Sequence, residues 1–135
     1  MNDIDRRSTF ALGLATTIFA ASEAAEAQTR NEGREIGPGV RQVDFGERES
    51  VIPAYKRLRL RDIVLQPGAA TPDNMMMNDM LCHITEGELA VRQNDNRFIA
   101  KKGDVWACAR NNTTEGTKNN GSTVAVMRII DLLPS

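Results

Sequence analysis

"GELAVRQNDNRFIAKKGDVWACA" covers residues 87–109 and reads as three short strands joined by two tight turns. In ELAVRQ (88–93), Leu89 and Val91 alternate with other residues, the period-two pattern of a strand with one buried face. Asn94-Asp95-Asn96 is turn chemistry, because Asn and Asp tolerate left-handed backbone and bond their own main chain. The turn leads into RFIAKK (97–102); Gly103-Asp104 turns again, and VWACA (105–109) follows.

The same grammar extends both ways. Upstream, VRQVDF (40–45) and YKRLRLRDIVL (55–65) alternate, with Leu58 and Leu60 on one face and Arg59 and Arg61 on the other. Pro67-Gly68 breaks that run, and MLCHIT (80–85) leads into Glu86-Gly87. Downstream, a polar loop from Arg110 to Ser122 precedes TVAVMRII (123–130). No segment after residue 30 holds a helical period over ten residues. Short strands every eight to twelve residues, with turns between, predict an all-β sandwich or barrel.

The 135 residues suffice for one domain, and a 41% apolar share allows a core. The opening has the three parts of an export signal: Arg6-Arg7, an apolar run from Ala11 to Ala21, and small residues ending at Ala25-Glu26-Ala27. Adjacent arginines are of the twin-arginine type, which implies a bacterial periplasmic protein. The run is shorter than the roughly 20 residues of a membrane-spanning helix. Residues 1–27 are therefore expected to be removed, residues 28–39 to form a flexible leader, and residues 40–135 to form the domain. Cleavage removes Arg6 and Arg7 with Asp3, Asp5, Glu23 and Glu26, moving the formal charge from −1 to +1. A near-neutral chain with mixed signs gives no electrostatic case for nucleic acid or, once the signal is gone, for a membrane.

The stretch from Pro67 to Asn120 resembles the cupin superfamily, whose fold is a small β-barrel of jelly-roll type. The first cupin motif spaces a glycine, a His-x-His pair, a glutamate and a second glycine as Gly68, Asn74, Met76, Met80 and Gly87 are spaced here. The second motif sets its glycine on Gly103 and its histidine on Thr114, with Ala109-Arg110-Asn111 in place of Pro-x-Gly. The frame is kept while each metal ligand is replaced. His83 is the chain's single histidine, so no cluster of histidines can form within one chain. Fe(II), Mn(II), Ni(II) and Zn(II) sites of the cupin kind are therefore not expected, and no cofactor is assigned.

The resemblance implies a small-molecule site inside the barrel, lined by Asn74, Met76, Met80, Cys82, Trp106 and Thr114. Such a lining is mostly apolar with few polar anchors, as small-molecule sites are. Asp79 and Glu115 are the nearest candidates for acid–base chemistry, each one residue from a motif position. If Met80 faces inward, Cys82 and Ile84 do too, while Leu81 and His83 face out, where His83 would be a surface or subunit-contact residue. Two alternatives remain open. Met76, Met80, Cys82 and Cys108 are soft donors that could converge on Cu(I), or the barrel could be a filled, structural or partner-binding sandwich. Cupins commonly cover their sheet edges by pairing subunits, so a homodimer is expected. The cupin pattern also makes the strands before Glu86-Gly87 and after Gly103-Asp104 antiparallel neighbours. Setting Gly87 opposite Asp104 places Cys82 across from Ala109 and Cys108 across from His83, leaving a disulfide or two buried thiols as the possibilities.

Overall fold

A computed structural model describes residues 32–134, and every regular element among them is a strand. In chain order they are β1 (Arg34–Gly37), β2 (Val40–Glu49), β3 (Arg57–Leu65), β4 (Ala70–Met75), β5 (Asp79–Glu86), β6 (Glu88–Gln93), β7 (Asn96–Lys101), β8 (Val105–Cys108), β9 (Thr114–Lys118) and β10 (Ala125–Leu133). They form a six-stranded sheet ordered β1-β2-β3-β10-β5-β8 and a four-stranded sheet ordered β4-β9-β6-β7, with antiparallel pairing throughout. The fold is the expected jelly-roll sandwich. The export-signal reading falls on residues 1–27, outside the described residues.

Alternation builds the core between the sheets. Ile63 and Leu65 of β3, Met80, Cys82 and Ile84 of β5, Leu89 and Val91 of β6, and Met127 and Ile129 of β10 pack into one buried cluster. Burial of such side chains contributes about 1.5–3 kcal/mol each before entropy is counted. The outer face of the six-stranded sheet holds a smaller buried group, Val43, Val64 and Val126. Beside it Arg128 grips Asp62 through two hydrogen bonds of 2.9 and 3.0 Å and lies over the Phe45 ring.

Three strands differ from the sequence reading. Residues 34–37, assigned to a loose leader, form β1, because pairing with β2 satisfies a backbone whose side chains carry no strand signal. β4 was hidden by Pro72, Asp73 and Asn74, all poor strand formers. Pro72 is tolerated because β4 is an edge strand and its register with β9 shifts between Thr71 and Asn74. β9 was read as part of a polar loop, yet it is the second strand of its sheet, and Glu115 and Thr117 are buried. Gly116 lets the Asp73–Arg92 ion pair cross directly over β9: a Cβ there would fall 2.1 Å from Asp73 Oδ1 and push that exposed carboxylate aside.

The β5–β8 register also differs. Met80 pairs with Cys108, and Cys82 pairs with Trp106, so the two strands are shifted by three residues from the inferred alignment. The shift changes parity: Cys82 and Cys108 share the inner face, as diagonal neighbours.

Candidate functional site

The interior is not completely filled. A cavity of about 260 Å³ opens between the sheets, walled by Ile63, Met76, Met80, Met127 and Ile129 and edged by Asn74, Arg61 and Glu115. β4 brings Asn74, and Met76 follows it directly; β5 brings Met80, β9 brings Glu115, and β10 brings Met127. Met76, Met80 and Met127 give the walls a soft, adaptable character, because thioethers are polarizable and unbranched.

Glu115 is the polar centre of this site. Its side chain is buried, and its Oε1 accepts hydrogen bonds from Trp106 Nε1 at 2.9 Å and from Cys108 Sγ at 3.2 Å. Burial pushes the Glu115 carboxyl above its ordinary pKa, and those two donors pull it part of the way back. Cys82, Cys108 and Glu115 present two sulfurs and a carboxylate oxygen within 4.8 Å of one another. The Cys82 thiol is driven strongly upward, first by its hydrogen bond with Cys108, then by burial and by the charge of Glu115. Gln93 Nε2 donates to Ala107 O at 2.7 Å and to Cys108 Sγ at 3.5 Å, fixing β8 against β6.

Arg61 reaches the cavity from the opposite side but is already engaged. Its guanidinium holds Asp131 through bonds of 2.7 and 3.1 Å and also donates to Gln42 Oε1 at 3.1 Å. Arg59 and Asn78 complete the ring of donors around Asp131, which is fully buried.

Of the six residues read from the sequence as the lining, Asn74, Met76 and Met80 edge the cavity. Cys82 lies behind its wall in the core, and Trp106 packs against the core with its ring edge-on to Phe98 at 5.7 Å. Thr114 does not join them: its hydroxyl turns to Met75 Sδ at 3.9 Å. The second motif's frame lands on Thr114, but alternation along β9 sends the next residue, Glu115, inward. Asp79 is likewise apart from the cavity. It accepts hydrogen bonds from the Arg110 backbone N–H at 2.8 Å and from Tyr55 at 2.7 Å, which hold its carboxylate below the usual range. His83 is only partly buried, and its Nδ1 lies 3.2 Å from the Asp104 carbonyl. The sequence reading omitted Arg61 and Met127 from the site; both are in phase with core residues of their own strands.

The structure carries both cysteines as free thiols. Diagonal strand neighbours have Cα atoms about 7–8 Å apart, outside the roughly 4.4–6.8 Å that a disulfide spans. Titration of denatured, unreduced protein with a thiol reagent is expected to return two thiols per chain; a value of zero would establish the bridge.

A larger depression of about 540 Å³ lies over the four-stranded sheet, with Arg92, Arg97, Ile99, Gly116 and Lys118 among its lining. It lacks a buried titratable group, whereas the interior cavity combines apolar walls with Glu115.

No protein-family model and no curated protein matches the sequence. The fold does match solved structures. KdgF from Halomonas sp. superposes with a TM-score of 0.61 at 13% identity, over 76% of this chain and 86% of that one. An RmlC-like cupin from Shewanella frigidimarina gives 0.61 at 17% identity, over 78% of this chain and 86% of that one. A cupin superfamily protein from Desulfitobacterium hafniense gives 0.56 at 18%, over 76% and 83%. Identities this low speak for architecture alone. The chain has the cupin fold.

Proposed function

We propose that the protein is an exported, periplasmic binding protein that holds a small molecule inside its cupin barrel without a histidine-held metal. The observation that carries this reading is the interior cavity with one buried carboxyl. A barrel packed solid would suit a purely structural role; about 260 Å³ of interior space favours a ligand. The volume is below the range of about 300–1,000 Å³ typical of drug-sized ligands, so the occupant is a compact molecule. Methionine and isoleucine walls favour an apolar body, Asn74 offers an amide at the rim, and Glu115 is the group able to hold or accept a proton beside it. Acid–base chemistry on the bound molecule, if the protein has it, would run through Glu115.

Screening small metabolites against the purified chain by thermal unfolding tests this. A ligand present at one hundred times its Kd adds about 2.7 kcal/mol, a rise of several degrees. Met76→Trp, which places a larger side chain in the cavity, is expected to remove that rise while the apo protein still melts cooperatively. A ligand whose effect survives Met76→Trp binds elsewhere and overturns the site.

The working unit is a homodimer in this reading. Phe45, Leu81 and Ile130 stand exposed on the outer face of the six-stranded sheet, aligned around Leu60. Light scattering at high concentration is expected to give twice the chain mass; a monomer rejects the pairing.

A further inference from the structure

We propose that Cys82, Cys108 and Glu115 form a buried site for a soft monovalent metal ion, Cu(I), entered through the methionine-walled cavity. None of the three stands at a position where the cupin motifs place a ligand, so the site is separate from that scheme. It shares Glu115 and the cavity with the small-molecule reading, but its test reads copper and sulfur ligation, so either can fail without the other.

The donor set comes first. Two sulfurs and one carboxylate oxygen converge within 4.8 Å in a fully buried setting. The strand register keeps the sulfurs close while their backbones stay too far apart for a bridge. Cys82 is opposite Trp106, and Cys108 is opposite Met80. A metal ion between the two sulfurs closes a gap that a disulfide bond does not. The group is already associated: Cys108 Sγ donates to Glu115 Oε1 at 3.2 Å, and the Cys82 sulfur lies within 4.8 Å of both.

The surroundings point to the metal. Thiolate and thioether are soft donors that select Cu(I), whereas the harder divalent ions prefer imidazole and carboxylate. Met80 lies directly across from Cys108 and supplies a thioether at the same level. Met76, Met80 and Met127 wall the cavity whose edge Glu115 forms, and Glu115 accepts from Cys108, so soft donors lead up to the carboxyl that touches the thiol pair. The only imidazole, His83, faces away. Structural Zn(II) sites are four-coordinate and filled by Cys, His or carboxylate, and among the described residues three such donors converge here.

Charge balance can be written out. Binding one Cu(I) to two thiols forms two Cu–S bonds, breaks two S–H bonds and releases two protons. The site then carries one negative charge, with the Arg61 cation close enough to favour the Cys82 thiolate. Glu115 keeps its proton and donates a hydrogen bond to a thiolate at that charge, or releases it as a third proton and becomes a third ligand, taking the site to two negative charges; neither case changes the sulfur count.

The test uses the full chain, reduced and handled without oxygen, titrated with Cu(I) against a chromophoric Cu(I) chelator. One equivalent per chain is expected to be withdrawn from the chelator, and X-ray absorption should show a sulfur-dominated first shell. Cys82→Ala and Cys108→Ala should each weaken binding by more than the roughly 10–100-fold that loss of a supporting group costs. Met77→Leu, at an exposed methionine outside the cavity, should bind as wild type does. Copper left entirely with the chelator, a first shell without sulfur, or cysteine variants that bind unchanged would overturn the site. So would Zn(II) that one equivalent of Cu(I) fails to displace. Melting curves of the apo variants establish folding, and if either cysteine variant is unfolded the wild-type stoichiometry and absorption spectrum decide alone.

Discussion

Asp131→Asn is expected to destabilise the fold by about 3–5 kcal/mol at neutral pH, the usual cost of removing one partner from a buried ion pair. Asp131 has no solvent exposure and accepts from Arg61 at 2.7 and 3.1 Å, Arg59 at 2.9 Å and Asn78 at 3.1 Å. The amide keeps the shape but turns a donor toward two guanidiniums. Arg59, whose side chain is 39% exposed, can swing to water; Arg61, at 17%, cannot readily do so and is left buried without its counter-charge. By contrast Arg34→Ala, at the exposed pair with Asp44, should cost less than about 1 kcal/mol. Urea unfolding of the two variants measures both.

The pH dependence has a definite sign. Burial alone would raise the Asp131 pKa, but the hydrogen bond and charge of Arg61, helped by Asn78 and Arg59, outweigh it and leave the group depressed. A depressed folded pKa stabilises the fold above the unfolded value of about 3.9, and that contribution is lost as pH falls through the lower folded value. The gap between wild type and Asp131→Asn should therefore be full at pH 7 and narrow below about pH 4. A gap under 1 kcal/mol at pH 7, or one that widens toward acid, would remove Asp131 from its structural role.

This network shows what the sequence displayed and what it concealed. The alternation of RLRLR was plain, but not which face is inside. Leu58 and Leu60 lie on the outer face, and Arg59 and Arg61 on the inner, because Arg61 is in phase with Ile63 and Leu65. Asp131 is in phase with Met127 and Ile129, so the ion pair closes one end of the same interior. An acid and two arginines in phase with the core on two strands were the available signal. The hairpin β6–β7 was legible because turn chemistry sets the register of directly connected strands. β5 and β8 are separated by that whole hairpin, which belongs to the other sheet, so no turn fixes their alignment. The three-residue slip follows from that, and with it the parity that brings the two thiols together. Glu115 was legible as an acid–base candidate but not as part of the lining: motif spacing pointed to Thr114, and β9 lacked the apolar alternation that would have shown which neighbour faces in. Cavities leave no mark in a sequence, since they depend on how side chains from both sheets fail to meet.

Gly87→Ala is expected to cost about 3 kcal/mol or more, while Gly103→Ala costs about 1–2 kcal/mol, the price of left-handed backbone for a residue with a Cβ. Both glycines have positive φ, +68° and +97°. They differ in what surrounds them. A Cβ on Gly87 would lie 2.5 Å from Val124 O and 3.0 Å from Ala125 Cα, main-chain atoms with nowhere to move; a Cβ on Gly103 meets nothing within 4 Å. Gly87 is the corner where the chain leaves β5 in one sheet and enters β6 in the other, and β5 carries Met80 and Cys82. Forcing β10 away from that corner loosens the wall behind the thiols as well as the fold. Gly87→Ala should therefore melt at least ten degrees or so below wild type, taking about 4–8 °C per kcal/mol for a domain of this size. Its two thiols should also react with a labelling reagent in the native state faster than those of Gly103→Ala, whose corner is open to solvent and remote from the β10 backbone. Equal melting temperatures for the two variants would mean that backbone conformation alone accounts for Gly87, and that the contact with Val124 is not close enough to matter.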